Sequence, residues 1–408
     1  MITGNALFTG AREVLTCQNA TAASVRSGVA LAVQNGVIRA IADEPTLRAR
    51  FPELPVVGCD GVLTPGFVDS HTHAVFGGWR AAEYALRSQG VPYMEIARRG
   101  GGIHASVRDL RTRTEDELVA LTRPRLQRML RLGTTTAEVK SGYGLETESE
   151  LRMLRVIRRL DAEGPLDLVP TFMGAHEVPA DFVGGADAYA DHVVREMIPA
   201  VAAEGLARFC DVFMEPGVFN AAQTRHILEA GSAHDLLPRL HADELENSGA
   251  AELAVSVRAA SADHLGAVSE QGIAALASSE TVATLLPMTL LFLGRNRFAP
   301  ARRLRDAGAT IALATDFNPG SAPSPSMPMV LMLACSQMGL DPLAAIQAAT
   351  AGGARALRLE DGRGMLTEGA PADLVLWAVE DHREIPYQFG YPPIAGVWKR
   401  GVQVAGRL

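Results

Sequence analysis

The sequence predicts an α/β protein: a (β/α)8, TIM-like barrel that carries a small β-sandwich domain built from both chain termini. Eight short β-prone runs alternate with amphipathic stretches long enough for helices through residues 65–357, which is the repeat of a (β/α)8 fold. Histidine and carboxylate side chains collect at the C-terminal ends of those runs, where this fold keeps its chemistry. β-type runs at both ends of the chain flank that middle, so residues 1–64 and 358–408 are assigned to one small β domain and 65–357 to the barrel.

In the N-terminal part, "SGVALAVQNGVIRAIA" holds Asn35-Gly36 between two apolar stretches, a pairing that predicts a tight hairpin. "GMLTEGAPADLVLWAV" and "GVWKRGVQVAG" read as strands at the other end. The barrel runs are, in order, "VLTPGFVDSHTH", "GTTTAEVKSGYG", "LDLVPTFMGAH", "ARFCDVFMEPG", "LPRLHADE", "ASADHLG", "TVATLLP" and "ATIALATDFNPG". Two helix starts, at Thr114 to Glu117 and at Thr147 to Glu150, match the capping box, in which a hydroxyl and a carboxylate satisfy orphan backbone donors. Pro124 weakens the first of these helices.

Composition narrows the partner. A formal charge of -8 and a pI near 5.7 argue against a phosphate backbone, which is held by clustered Lys and Arg. With 48% hydrophobic and 21% charged residues the whole chain reads as folded, and a small molecule is the expected ligand. Lys140 and Lys399 are the only lysines. Cys17, Cys59, Cys210 and Cys335 lie far apart without a CxxC pair, against a zinc ribbon or a disulfide framework and in favour of a reducing cytoplasm. The start lacks a basic-then-apolar leader, and "TVATLLPMTLLFLG" is short and interrupted by Pro287, so no membrane association is expected. A glycosylation sequon at Asn19-Ala20-Thr21 would matter only in a secreted chain.

The strand ends carry the chemistry. In a strand alternate side chains share a face, so His71 and His73 point the same way with Thr72 turned aside. Two imidazoles on one rigid strand end can hold a metal, and Asp69 shares their parity as an outer carboxylate or a plain polar residue of the mouth. His176, Glu215, His241, Glu244, His264 and Asp316 stand at other strand ends. His71, His73, His241 and Asp316 offer nitrogen and oxygen donors that suit one zinc or ferrous ion with a position left for water. His104, His192, His226, His234 and His382 fall in loops or helix-like stretches, where solvated or capping roles are expected.

"PGFVDSHTH" resembles the first-strand motif of the amidohydrolase superfamily, and His on the fifth and sixth runs and Asp on the eighth follow that superfamily's order. Binuclear members place a carboxylated lysine at the end of strand four, where this chain has Met214-Glu215. One metal per subunit is therefore expected, and Lys140, on strand two, is assigned as a charge partner near the substrate mouth. His241-Ala242-Asp243-Glu244 is similar to a spacing that the mononuclear branch, cytosine deaminase included, uses for proton transfer.

The segments "HAVFGGWRAAEY", "RRGGGIHASV", "KSGYGLETE", "PTFMGAHEVP", "HADEL" and "ATDFNPGSAP" closely resemble those of the imidazolonepropionase family of histidine degradation. The resemblance runs over essentially the whole chain and implies hydrolysis of the ring amide of 4-imidazolone-5-propanoate to N-formimidoyl-L-glutamate. It places Arg80 beside the substrate, with Tyr143, His176, Glu244, Asn318, Gly320 and Ser321 as further substrate contacts. Glu244, His264 and Asp316 become the proton-handling groups, zinc the first choice of metal with iron second, and a homodimer the family-style assembly. The rival reading is a mononuclear deaminase of a cyclic amidine such as cytosine or guanine; Arg80 and Tyr143 count against it. A catalytically silent barrel is disfavoured by the complete ligand set.

Overall fold

A computed structural model describes residues 4–19, 24–91, 95 and 100–406. Ala20 and Thr21 of the sequon, and Arg98 and Arg99 of "RRGGGIHASV", lie outside them. All eight barrel runs form strands: Phe67–Asp69 (β1), Thr134–Lys140 (β2), Asp167–Ala175 (β3), Phe209–Met214 (β4), Leu237–Ala242 (β5), Ser261–His264 (β6), Val282–Leu285 (β7) and Ile311–Leu313 (β8). They pair in parallel and in chain order, each with the next. Just past the strands, a parallel bridge between Thr72 and Phe317 joins the first to the last. Asp316 N donates to His71 O (3.0 Å) and His73 N to Phe317 O (2.9 Å). The seam that closes the barrel is thus made by the segments that carry His71, His73 and Asp316.

The two chain ends meet in a separate domain. Strand Val62–Pro65 pairs antiparallel with Leu374–Trp377, inside a six-stranded sheet that also holds Glu13–Leu15, Val25–Arg26, Ile394–Lys399 and Val402–Gly406. A second sheet of four strands contains Ala6–Thr9. Phe8, Leu31, Val33, Leu63, Leu374 and Trp398 form the apolar layer between them, and Phe8 meets the Trp398 ring edge-on at 5.4 Å. Val375, Trp377 and Val397 belong instead to the barrel's apolar core, so the centre of the larger sheet is buried on both faces. The hairpin expected at Asn35-Gly36 joins Ala30–Gln34 to Val37–Ala42, with both residues at positive φ (53° and 75°), as a primed turn requires. Lys399 ties this domain to the barrel, with Nζ 2.5 Å from Asp373 Oδ2 and 2.8 Å from Asp167 Oδ2.

One predicted capping box forms and the other does not. Thr114 and Glu117 bond reciprocally at the start of helix Glu115–Arg131, which runs on through Pro124. Helix Thr147–Glu163 has Glu146 at its cap and no side-chain cap bond. Glu150 is fully buried and turns to the preceding loop, accepting from Gly142 N (3.0 Å), Gly144 N (2.8 Å) and Leu145 N (2.9 Å). Three buried amides without strand partners outcompete one helix-end donor for a single carboxylate. The four cysteines are free. Among the described residues no helix is long and apolar enough to cross a membrane.

Candidate active site

His71, His73, His176, His241, His264, Glu244 and Asp316 converge at the C-terminal mouth of the barrel. His71 Nε2 and His73 Nε2 lie 3.5 and 3.6 Å from the same oxygen, Asp316 Oδ1. The ring of His71 is 4.5 Å from that of His241 and 5.4 Å from that of His264, centre to centre. Two sets of ligand atoms, one from His71, His73 and Asp316 and one from His71, His241 and His264, each lie within 4.8 Å of one another. His71, His73, His241, His264, Glu244 and Asp316 are buried, and His176 is partly so.

Carboxylates decide which ring nitrogens face that space. His71 Nδ1 donates to Asp263 Oδ2 (2.6 Å) and His241 Nδ1 to Asp211 Oδ1 (3.0 Å), which leaves Nε2 of each ring with its lone pair. His71 Nε2 is buried and has no hydrogen-bond partner among the described residues. An orphaned imidazole nitrogen opposite a carboxylate oxygen is what a divalent ion with nitrogen and oxygen ligands would satisfy, so these residues fit a metal. Asp316 offers only Oδ1, because Thr289 Oγ1 donates to Oδ2 at 2.5 Å.

Backbone geometry aims two of the groups. Asp263 and His264 are neighbours in β6, and regular alternation would send them to opposite faces. His264 instead has φ 81°, and Asp316 has φ 52°, conformations that cost a non-glycine residue energy and cluster at functional sites.

Burial then tunes the acids and bases. It pushes Glu244 well above the usual carboxylate range, helped by the nearby charges of Asp316 and Glu215, which favours its protonated form. Burial pushes His264 well below the usual imidazole range, with neighbouring His241 adding to the effect, so His264 is a neutral base. Their polar atoms, His264 Nε2 and Glu244 Oε2, are 3.6 Å apart.

Further acidic residues hold the loops in which these groups sit. Glu215 takes the backbone N–H groups of Glu244 (3.2 Å) and Glu246 (2.7 Å). Glu150 holds residues 142–145 and with them the buried Tyr143, whose ring is 5.8 Å from that of His73 and 5.5 Å from that of His176. His176 stacks on His73 (5.0 Å, 20°), and its Nδ1 is 2.9 Å from Gly142 O. A carbonyl can only accept, so Nδ1 carries the hydrogen and Nε2 is an acceptor. Asp69 accepts from Thr315 N (3.0 Å) and Thr315 Oγ1 (2.6 Å), which braces the strand end before Asp316.

Arg80 caps helix Ala81–Ser88 and reaches Gly320 across the mouth: a Cβ on Gly320 would lie 1.3 Å from Arg80 Nη2. Arg80 Nε is buried without a hydrogen bond among the described residues, and Glu83 is 3.7 Å away. The segment from His73 to Arg80 is held by Arg125, which donates to Ala74 O (3.1 Å), Phe76 O (2.6 Å) and Gly77 O (2.7 Å). Asn318 spends its amide inside its own turn: Oδ1 accepts from Gly320 N (2.8 Å) and Ser321 N (2.7 Å), and Nδ2 donates to Asp316 O (2.6 Å).

Lys140 departs from its assigned place. It is fully buried below the ligand cluster, 2.7 Å from both Glu138 and Asp211, because its side chain points into the barrel rather than up from its rim. Asp211, Asp263, Glu138 and Arg239 are not singled out by the sequence, and Glu150 is read there only as a helix cap. Strand parity could have found Arg239, two residues before His241, and Glu138, two before Lys140. Thr289 leaves no such trace.

Residues 62–408 match the sequence profile of the Amidohydrolase family. An imidazolonepropionase of Myxococcus xanthus is 46% identical over 398 residues, covering 95% of this chain and 94% of that protein. One of Symbiobacterium thermophilum is 45% identical, covering 97% and 96%. Among solved structures, a zinc-bound adenosine deaminase from Xanthomonas campestris superposes with a TM-score of 0.73 over 98% of this chain and 92% of its own, at 22% identity; that distance supports the shared fold alone. On its length, its identity to these relatives and its mouth, this chain belongs to the imidazolonepropionase family of amidohydrolases.

Proposed function

We propose that the site hydrolyses the ring amide of 4-imidazolone-5-propanoate to N-formimidoyl-L-glutamate, a hydrolysis of a carbon–nitrogen bond in a cyclic amide. The observation that carries this reading is the placement of Glu244 Oε2 3.6 Å from His264 Nε2, burial raising the pKa of the acid and lowering that of the base, beside His71, His73, His241 and Asp316 and with Arg80 against Gly320.

His71, His73, His241 and Asp316 would hold one divalent ion, zinc by preference and iron as second choice. Bound there, such an ion supplies Lewis acidity and lowers the pKa of a bound water from about 15.7 toward about 7. His264, whose ring nitrogens have no hydrogen-bond partner among the described residues, takes the proton from water as its oxygen adds to the ring carbonyl carbon, with Asp316 orienting that water. The ring carbon–nitrogen bond then breaks, and Glu244 gives its proton to the departing nitrogen. Return of the proton from His264 to Glu244 across their short separation resets both groups.

Arg80 takes the propanoate carboxylate, since a guanidinium makes paired charge-assisted bonds. Tyr143 packs against the imidazolone, and His176 Nε2 accepts from a ring N–H. Gly320 and Ser321 present the polar edge of the loop that Asn318 holds. A cytoplasmic homodimer is the setting of this reading, and light scattering checks the assembly.

The test is incubation of metal-analysed protein with freshly made imidazolonepropanoate, following loss of its ultraviolet absorbance and the mass of the product. Formimidoylglutamate formed by loaded but not by chelator-treated protein is expected. No turnover at full metal occupancy would refute the substrate assignment.

A further inference from the structure

Beneath the ligand cluster the barrel is filled by charge. Glu138, Lys140, Asp211, Arg239 and Asp263 are buried there, three anions and two cations. Apolar side chains of similar volume would pack this space at equal or lower free energy, since desolvation of buried ions offsets most of their attraction. Stability alone is therefore a weak reason for the network.

Each carboxylate in it faces two ways. Glu138 accepts from Lys140 through Oε1 (2.7 Å) and from Thr72 N, between the two histidines of β1's end, through Oε2 (3.0 Å). Asp211 accepts from Lys140 through Oδ2 (2.7 Å) and from His241 through Oδ1 (3.0 Å). Asp263 Oδ2 takes both His71 Nδ1 (2.6 Å) and Arg239 Nη2 (2.9 Å), with Lys140 Nζ at 3.9 Å. Arg239 is itself anchored on Ser70 O (2.7 Å) and Ala356 O (3.2 Å). Arg239 also feels the charge of all three carboxylates, but Lys140 Nζ is the cationic atom among these that lies within 4.0 Å of each of them.

We infer that Lys140 is a positioning residue for the metal: by holding the lower oxygens of Glu138 and Asp211, and Asp263 more distantly, it sets the ring orientations of His71 and His241 and the backbone between His71 and His73. This rests on the reading of His71 and His241 as ligands. A compact ammonium with three donors suits a point shared by carboxylates from three strands, which a planar guanidinium would not. The Lys140 side chain acts through its carboxylate partners, while its backbone N–H, which any substitution keeps, donates to Thr72 O (2.9 Å).

The test compares wild type with Lys140→Met and with Glu138→Gln/Lys140→Met. The double variant removes a cation and an anion together while an amide oxygen still accepts from Thr72 N, so it guards against a single variant that fails to fold with its carboxylates unpaired. Zinc affinity is measured by chelator competition, and ligand geometry by the visible d–d bands of the cobalt-loaded protein. Zinc affinity about 10–100-fold weaker, the usual cost of losing an outer partner of a ligand, with shifted cobalt bands, is expected in both variants, as is a loss in kcat larger than any change in KM. Wild-type zinc affinity and unshifted bands in whichever variant folds would overturn the inference, even if the melting temperature fell, because a merely structural lysine would give that pattern. A wild-type protein that binds no metal would instead fail the ligand reading, and this inference with it.

Discussion

Replacing Gly320 by alanine should uncouple Arg80 from the substrate without harming the fold. The added Cβ would stand 1.3 Å from Arg80 Nη2, 2.3 Å from Cζ and 2.8 Å from Nε. Ordinary contact needs about 3.5 Å or more, so the guanidinium must retreat by roughly 2 Å, further than a hydrogen bond of about 2.9 Å can stretch. The backbone of Gly320 lies outside the left-handed region, and the atoms in the way are the far end of a flexible side chain. Stability should then change by no more than about 1 kcal/mol. A hydrogen bond to a charged partner contributes about 1.5–3 kcal/mol, so KM should rise about 10–100-fold with a smaller change in kcat.

Steady-state kinetics would be run on Gly320→Ala, on Arg80→Met and on the double variant. A substrate analogue whose propanoate is a primary amide serves as the control. The double variant should be no worse than Arg80→Met, because both changes remove one interaction. An unaltered KM in Gly320→Ala, or effects that add in the double variant, would refute the reasoning.

Three further outcomes are expected. His264→Asn should keep its metal, by elemental analysis, and lose turnover by about 10²-fold or more; loss of metal would make His264 a ligand instead. Glu244, raised by burial, holds its proton below its folded pKa and loses it as pH rises through that value, so kcat should fall on the alkaline side. Glu244→Gln should flatten that limb and lower kcat throughout, and a limb that survives the substitution would assign it to another group. Glu150→Gln replaces an acceptor of three loop amides with a group that presents N–H to some of them, so stability should drop by about 1–3 kcal/mol and KM should rise as Tyr143 loosens; a thermal melt and the same kinetics check both.

Much of this is legible in the sequence. Hydrophobic periodicity picks out all eight strands, because a parallel strand buried on both faces must be a short apolar run between turns, although the first run also takes in Val62–Pro65, which joins the terminal β domain. The pairing of His71 with His73 follows from the two-residue period of a strand alone. The second capping box does not form, for a reason local sequence does not contain: Glu150 has competing donors in Gly142, Gly144 and Leu145, brought to it by how the loop folds back. Lys140 was placed at the mouth although its strand parity allowed the interior, because a lone lysine is costly to bury unless its partners come from other strands, and those partners are 71 and 123 residues further along, at Asp211 and Asp263.

The sequence by itself determined the barrel, its order of strands, the terminal β domain and the identities of the groups at the mouth, since each is written in short-range alternation or in a motif of a few residues. Only the tertiary structure decided which nitrogen of His71 and His241 is free, which oxygen of Asp316 faces them, that His264 turns inward, and that Arg80 lies where Gly320 leaves room. Those choices depend on carboxylates and backbone from strands distant in the chain, brought within hydrogen-bonding range by closure of the barrel between Thr72 and Phe317, and nothing local in the sequence encodes that distance.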